Sequence, residues 1–299
     1  MLEQDVLEKY RRAGKIAAKV REEMKNTIKE GMYLIDICEK AEQLIISMGG
    51  QPAFPCNISI NEVAAHYTSP PNDEKIVPKG SLVKIDVGVH VDGYIADTAT
   101  TVCFAPELEN LVQTSEEALD IAVKTIRKGI FTSDLGLEIQ RAIERRGYKP
   151  ISNLTGHQIG RYMIHTGKSL PNVSHVSFSK IQAGDIYAIE PFVTFRDAIG
   201  RVEEGSQSYI FRLVKRKPVK ESEIRNLVEF IEKKYKTLPF AERWLKMYPD
   251  SYNYRSLIND LLKLKCVMSY PIFVEVSHKP VAQTEHTVYI DDYETIVLT

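Results

Sequence analysis

The chain has 299 residues, 43% hydrophobic and 26% charged, with 39 Lys and Arg against 40 Asp and Glu and a formal net charge of −1. This is ordinary globular composition, long enough for a sizeable core; the balanced charge argues against a nucleic-acid-binding domain with an overall basic excess, and no apolar run reaches the ~20 residues of a membrane span. The N-terminus MLEQDVLEKYRR has no secretory apolar region, and the scattered Cys38, Cys56, Cys103 and Cys266 form no CxxC pair, which predicts reduced thiols in an intracellular protein.

In chain order, Val6, Tyr10, Ala13, Ala17, Val20, Met24 and Ile28 fall at spacings of three and four and predict one stripe of an amphipathic helix. Asp36 followed by Glu39 predicts a capping box for a second helix, with Leu44, Ile45 and Met48 as its apolar face and Gly49 as its stop. Shifted by 98 residues, Thr27-Ile28-Lys29-Glu30-Gly31 falls on Thr125-Ile126-Arg127-Lys128-Gly129, and without a gap Asp36 meets Asp134, Gly49 meets Gly147 and Pro52 meets Pro150. The likeness resumes at a shift of 104, where Gly80 to Asp86 falls on Gly184 to Glu190, both reading as strands entered through glycine. Two-helix patterns are common, but gapless glycine and proline matches favour an internal duplication. The fold class is therefore α+β with a pseudo-twofold repeat, and a site between the halves is natural. Asp86 and Glu190 occupy the same strand position in the two copies.

The stretch from Leu82 to Phe104 carries Asp92-Gly93, a strong two-residue hairpin signal. With those two residues as the loop, Asp86 opposes Ala99 and Asp97 lies diagonal to Asp86 on the same face, ~7–8 Å away at Cα. Two carboxylates on a mostly apolar hairpin repel and lose solvation. A solvent-facing strand would relieve this, and so would a bound divalent cation, for which carboxylates are natural ligands. Further candidates are His157 in Thr155-Gly156-His157, His165 eight residues on, Glu190 after the apolar run Ile186 to Ile189, and Glu285 in a strand-like run. Each alone has an ordinary reading as a core histidine or an edge charge. Together they suggest a two-metal carboxylate site with one histidine.

The ordered set Asp86, Asp97, His157, Glu190 and Glu285, with Ala64-Ala65-His66-Tyr67-Thr68 and Glu285-His286-Thr287, resembles the metal set of methionine aminopeptidases of the pita-bread fold. The resemblance covers essentially the whole chain. The extra segment 208–269 makes it similar to the type II branch in its short archaeal form, without the long charged N-terminal extension of the eukaryotic proteins. The resemblance implies removal of the initiator methionine from nascent proteins when the next residue is small. It implies two divalent metal ions (Co, Mn, Fe or Zn), with Asp86 a terminal ligand, Asp97 and Glu285 bridging, and His157 and Glu190 completing the set. It further implies Glu190 as proton shuttle, His165 at the developing oxyanion, His66 at the scissile amide, and Phe54, Pro55 and Ile164 on the methionine pocket wall. It implies a cytoplasmic monomer, with nascent chains and the ribosome as partners. Two departures from the family pattern touch no ligand: Phe195 to Gly200 holds one glycine where the family is glycine-rich, and Thr284 stands where Phe is common.

The same resemblance divides the chain into a catalytic domain, 1–207 with 270–299, and an inserted helical, winged-helix-like subdomain, 208–269. The insert carries 14 Lys and Arg and 7 Asp and Glu, a local charge of +7 against −8 for the rest. Ile224, Leu227, Val228, Ile231 and Tyr235 predict a helix after an N-cap at Ser222, and Leu257, Ile258, Leu261 and Leu262 another. A solvated lysine-bearing surface outweighs a nucleic-acid role for it, and Trp244 reads as local core. Two rivals remain: an Xaa-Pro peptidase of the same fold, of the prolidase or aminopeptidase P kind, which usually carries a further N-terminal domain, and a non-catalytic RNA- or protein-binding relative, whose signature would be lost ligands.

Overall fold

The computed structural model describes residues 2–217, 221–248 and 254–299. Helices α1 (Gln4–Thr27) and α2 (Leu34–Ser47) are followed by the strand Asn57–Ile60 and the hairpin Leu82–Val91 with Tyr94–Cys103. Helices α3 (Glu109–Thr125) and α4 (Thr132–Arg145) then repeat the first pair, with α1 and α3 ending, and α2 and α4 beginning and ending, at the 98-residue shift. Gly49 and Gly147 follow α2 and α4 at φ 81° and 82°, the left-handed position that ends a helix and that glycine enters without steric cost. Asp36 lies inside the first turn of α2 and the N-cap is Tyr33, so no capping box forms; the carboxylate still meets the positive end of the helix. Met48 sits past the last helical residue and is exposed rather than in the core.

The hairpin turns at Asp92 and Gly93, both with positive φ, and pairs Asp86 with Ala99 and Gly88 with Asp97 as the sequence predicts. The second half builds its counterpart from four short strands. Ile186–Ile189 pairs with His286–Ile290, and Phe192–Phe195 pairs with Val281–Gln283. Both pairings keep one register, so the interruption leaves Glu190 opposite Glu285. The two hairpins join edge to edge. The Glu285 amide donates to the Ala99 carbonyl at 3.0 Å, Thr101 Oγ1 donates to the Gln283 carbonyl at 2.7 Å, and Thr98 Oγ1 donates to the Glu285 carbonyl at 2.8 Å.

Helices α1 and α2 pack Ala13, Ala17, Val20, Ile37 and Ile45 against Ile85, Val87 and Val89 of the first hairpin. Helices α3 and α4 pack Leu111, Leu119, Leu135 and Ile139 against Tyr187, Ile189 and Val288 of the second. Both helix pairs therefore cover one side of the sheet, and the join between the halves crosses its middle.

The strand Val202–Leu213 pairs with Val267–Glu275 through a bulge between Glu204 and Ile210. Position 208 lies inside this ribbon, so the segment from 208 to 269 begins and ends within paired strands. Beyond it, α5 (Ser222–Tyr235), a 3₁₀ helix Glu242–Met247 and α6 (Tyr254–Lys263) close a separate core with Leu227, Ile231, Phe240, Leu245 and Leu261. The N-cap of α5 is Glu221, one residue before Ser222. Among the described residues, no helix is long and apolar enough to cross a membrane. The four cysteines are free thiols.

Candidate metal centre

Asp86 and Asp97 project from the first hairpin, and Glu190 and Glu285 from the break in the second, so each half supplies two carboxylates at the join. Asp97 and Glu285 are 3% and 1% exposed. Their backbones are pinned across the join: the Asp97 amide donates to Thr287 Oγ1 at 2.7 Å, and that hydroxyl donates back to the Asp97 carbonyl at 2.8 Å. Asn172 Nδ2 donates to the Glu190 carbonyl at 3.0 Å, and Gln283 Nε2 reaches Glu190 Oε2 at 3.4 Å. Asn57, paired with Asp86 across adjacent strands, points Nδ2 at Asp86 Oδ2 at 3.4 Å.

His157 comes from the strand Thr155–Gln158. Its Nδ1 lies 2.8 Å from the Ile164 carbonyl. A carbonyl only accepts, so the proton sits on Nδ1 and Nε2 is left with its lone pair. That Nε2 faces Asp97 Oδ2 at 3.6 Å and Glu190 Oε1 at 3.5 Å. Ligand atoms of Asp97, His157 and Glu285 all lie within 4.8 Å of one another.

Four carboxylates this close, out of water, resist ionisation. Burial pushes Asp86 up to about 7. Burial, then the neighbouring carboxylates, hold Asp97, Glu190 and Glu285 well above the usual range. His157 is held well below its usual value by burial and by His165 beside it. Asp86 Oδ1, Asp97 Oδ1 and Glu285 Oε1 are buried without a hydrogen-bond partner. A buried oxygen left unpaired is costly, and oxygen donors converging with one imidazole nitrogen are what a divalent cation accepts. The donor set therefore fits metal.

These groups open onto a cavity lined also by Phe54, Ile164, His66 and His165. Phe54 and Ile164 form an apolar wall. Pro55, expected beside them, is buried but is not among the residues that line the cavity. His66 adopts φ 67°, an unusual left-handed conformation for a residue with a β-carbon. Its Nδ1 lies 3.2 Å from the Pro271 carbonyl, and its ring packs on Phe273. Burial brings His66 down to about 4, and His165, whose ring centroid is 4.3 Å from that of His157, is also lowered by burial. Both shifts favour the neutral imidazole, and the His66 Nδ1 proton is donated to the Pro271 carbonyl, which leaves its Nε2 as an acceptor.

Sequence reasoning did not find Asn57, Gly88, or the cavity-lining Ile210 and Pro239 of segment 208–269 and Tyr270 just after it. Asn57 follows from the strand pairing with Asp86, which no local pattern signals. A β-carbon on Gly88 would lie 2.1 Å from the Phe54 ring, so the glycine leaves room for the pocket wall.

The chain matches the sequence model of metallopeptidase family M24 over residues 8–247. A protein named methionine aminopeptidase from Methanocaldococcus jannaschii is 45% identical over 285 residues, which cover 95% of this chain and 95% of that one. Among solved structures, a thermophilic Arx1 superposes with a TM-score of 0.84 at 17% identity, covering 100% of this chain and 91% of that one. A methionine aminopeptidase from Thermotoga maritima does so with a TM-score of 0.72 at 22% identity, covering 100% and 98%. At those identities the two structures establish the shared pita-bread fold. Given the match over most of its length, the chain belongs to metallopeptidase family M24.

Proposed function

We propose that the protein is a methionine aminopeptidase that removes the initiator methionine from new chains whose second residue is small. The observation that carries this reading is the near-full-length likeness to a protein of that name, at 45% identity. The buried carboxylate cluster facing an apolar-walled cavity accords with it.

On this reading, Asp86, Asp97, His157, Glu190 and Glu285 hold two divalent cations, of Co, Mn, Fe or Zn. Bound there, the ions supply Lewis acidity at the scissile carbonyl and make a water more acidic. Glu190 takes the proton of the attacking water and returns it to the leaving amine, a role suited to a buried carboxylate with raised proton affinity. His165 donates its N–H to the carbonyl oxygen as negative charge develops. His66 holds the scissile amide or the residue beyond it. Phe54 and Ile164 receive the thioether side chain, and a slender apolar slot of this kind discriminates by ~1–3 kcal/mol per methylene. We further infer that the chain acts in the cytoplasm, as a monomer, on polypeptides as they emerge from the ribosome.

The test compares Met-Gly-Met-Met with an Xaa-Pro dipeptide, after chelation and after adding back Mn(II). Cleavage of the first peptide only after metal is restored supports the reading. Faster cleavage of the proline substrate would instead assign the chain to the Xaa-Pro peptidases of the same fold.

A further inference from the structure

We propose that Arg243, on the inserted segment, is a positioning residue for the substrate pocket, acting through Glu42 and Thr68 on the two loops that carry Phe54 and His66. This rests on the aminopeptidase reading and adds a task for the insert. The Arg243 and Glu42 side chains are 2% and 9% exposed and form an ion pair across the boundary between insert and body. The same guanidinium donates to Thr68 Oγ1 at 2.6 Å and to the Ser69 carbonyl at 3.1 Å. Glu42 is filled from two further sides, by Trp244 Nε1 at 2.8 Å and by the Cys56 amide at 3.0 Å. Thr68 Oγ1 in turn donates to the Cys56 carbonyl at 2.7 Å.

Both ends of this network lie beside the cavity. Cys56 is two residues from Phe54 and one from Asn57. Thr68 is two residues from His66, and the Ile58 amide bonds the Tyr67 carbonyl at 2.7 Å, tying the loops together. A planar guanidinium places donors on separate nitrogens along fixed directions and so reaches a carboxylate, a hydroxyl and a carbonyl set apart from one another, whereas a lysine offers its three donors from a single rotating point. A buried ion pair is a poor way to gain stability, because apolar residues of like volume hold an interface as well or better. What the pair adds is direction, fixing the Cys56 and Thr68 backbones to one point. The backbones that carry the metal centre are fixed separately, Asp97 and Glu285 by Thr287 and Thr98, Glu190 by Asn172, and Asp86 by its pairing with Ala99 in the hairpin.

Glu42→Leu with Arg243→Met tests this, because the apolar pair removes the directional contacts while leaving the interface packed. The wild type and the double variant are assayed on Met-Gly-Met-Met with Mn(II), and Mn(II) binding is measured by calorimetry. The expected result is a folded protein with KM raised roughly tenfold, kcat within about threefold, and Mn(II) affinity unchanged, the pattern of lost binding without lost chemistry. Arg243→Lys, which keeps the charge and loses the fork, should give an intermediate KM, and it is read by the same criterion if the double variant does not fold. A folded variant with wild-type KM overturns the proposal, as does a loss confined to kcat in step with the folded fraction. Failure of the aminopeptidase reading would show in the wild type itself, and the KM comparison is then made on whichever peptide it cleaves.

Discussion

Gly88 stands opposite Asp97 in the first hairpin, where the Phe54 ring occupies the place of a side chain. Gly88→Ala should push that ring into the cavity or strain the strand, costing ~1–3 kcal/mol as overpacking does. Thermal denaturation and peptide kinetics should show a lower melting temperature and a raised KM, both partly restored by adding Phe54→Leu. Unchanged KM with unchanged stability would remove Phe54 from the pocket wall. The contrast with Asp86 and Asp97 explains what was legible at this scale. Their pairing follows from a two-residue turn, so local sequence places both on one face. Gly88 and Asn57 acquire their meaning from a loop and a strand that meet them only in the folded chain, and Pro55, adjacent to Phe54 in sequence, is buried without being among the residues that line the cavity. Such facts are invisible to spacing.

Elements were legible where periodicity and glycine stops agreed, which is why α2 and α4 begin and end at the same shift. Their starts were less so. An acidic residue in the first turn favours a helix much as an N-cap does, and Asp36 and Ser222 each lie inside the helix they were expected to cap. The join between the hairpins could not be read at all, since it is made by threonine hydroxyls bonded across 182 to 190 positions of sequence. It is nonetheless testable. Thr287→Val keeps the shape and removes the hydroxyl that serves both the amide and the carbonyl of Asp97. An unsatisfied buried group costs ~1–3 kcal/mol, so urea denaturation should show a loss of at least that size, accompanied by weaker Mn(II) binding. Thr287→Ser should retain most of both. Wild-type stability in Thr287→Val would mean that the strands hold their register without this bond.

Across the whole molecule, the carboxylates come in pairs from the two halves, and the 201 positions separating Glu42 from Arg243 tie the insert to the same framework. Bound metal would thus join parts of the chain that are far apart in sequence, and its removal should be felt as a change in global stability whose size depends on pH. The sign follows from the carboxyl groups. Asp86 is raised to about 7 by burial, and Asp97, Glu190 and Glu285 lie well above their usual range. A carboxyl that holds its proton more tightly when folded contributes stability that is complete below its ordinary value near 4, and loses it as pH rises through the folded value. Histidines oppose this at lower pH: His66, His90 and His286 are lowered to about 4, chiefly by burial, and their contribution is lost as pH falls through that range. Above pH ~6.5 the histidine contribution is constant, and Lys84, lowered to about 7 by burial, opposes the fall there as one group against four carboxyls. Calorimetry of the chelator-treated protein should therefore show a melting temperature that falls between about pH 6.5 and pH 8.5. Mn(II) should reverse the fall, since a ligand bound only by the folded state adds about 4 kcal/mol at a thousand times its dissociation constant. The gain should be larger at pH 8 than at pH 6 and should release protons near the lower value, because the ligands must ionise to bind. A metal-free protein whose stability is level across this window, or an equal gain from Mn(II) at both ends of it, would mean that these carboxylates are not the ones that meet the metal.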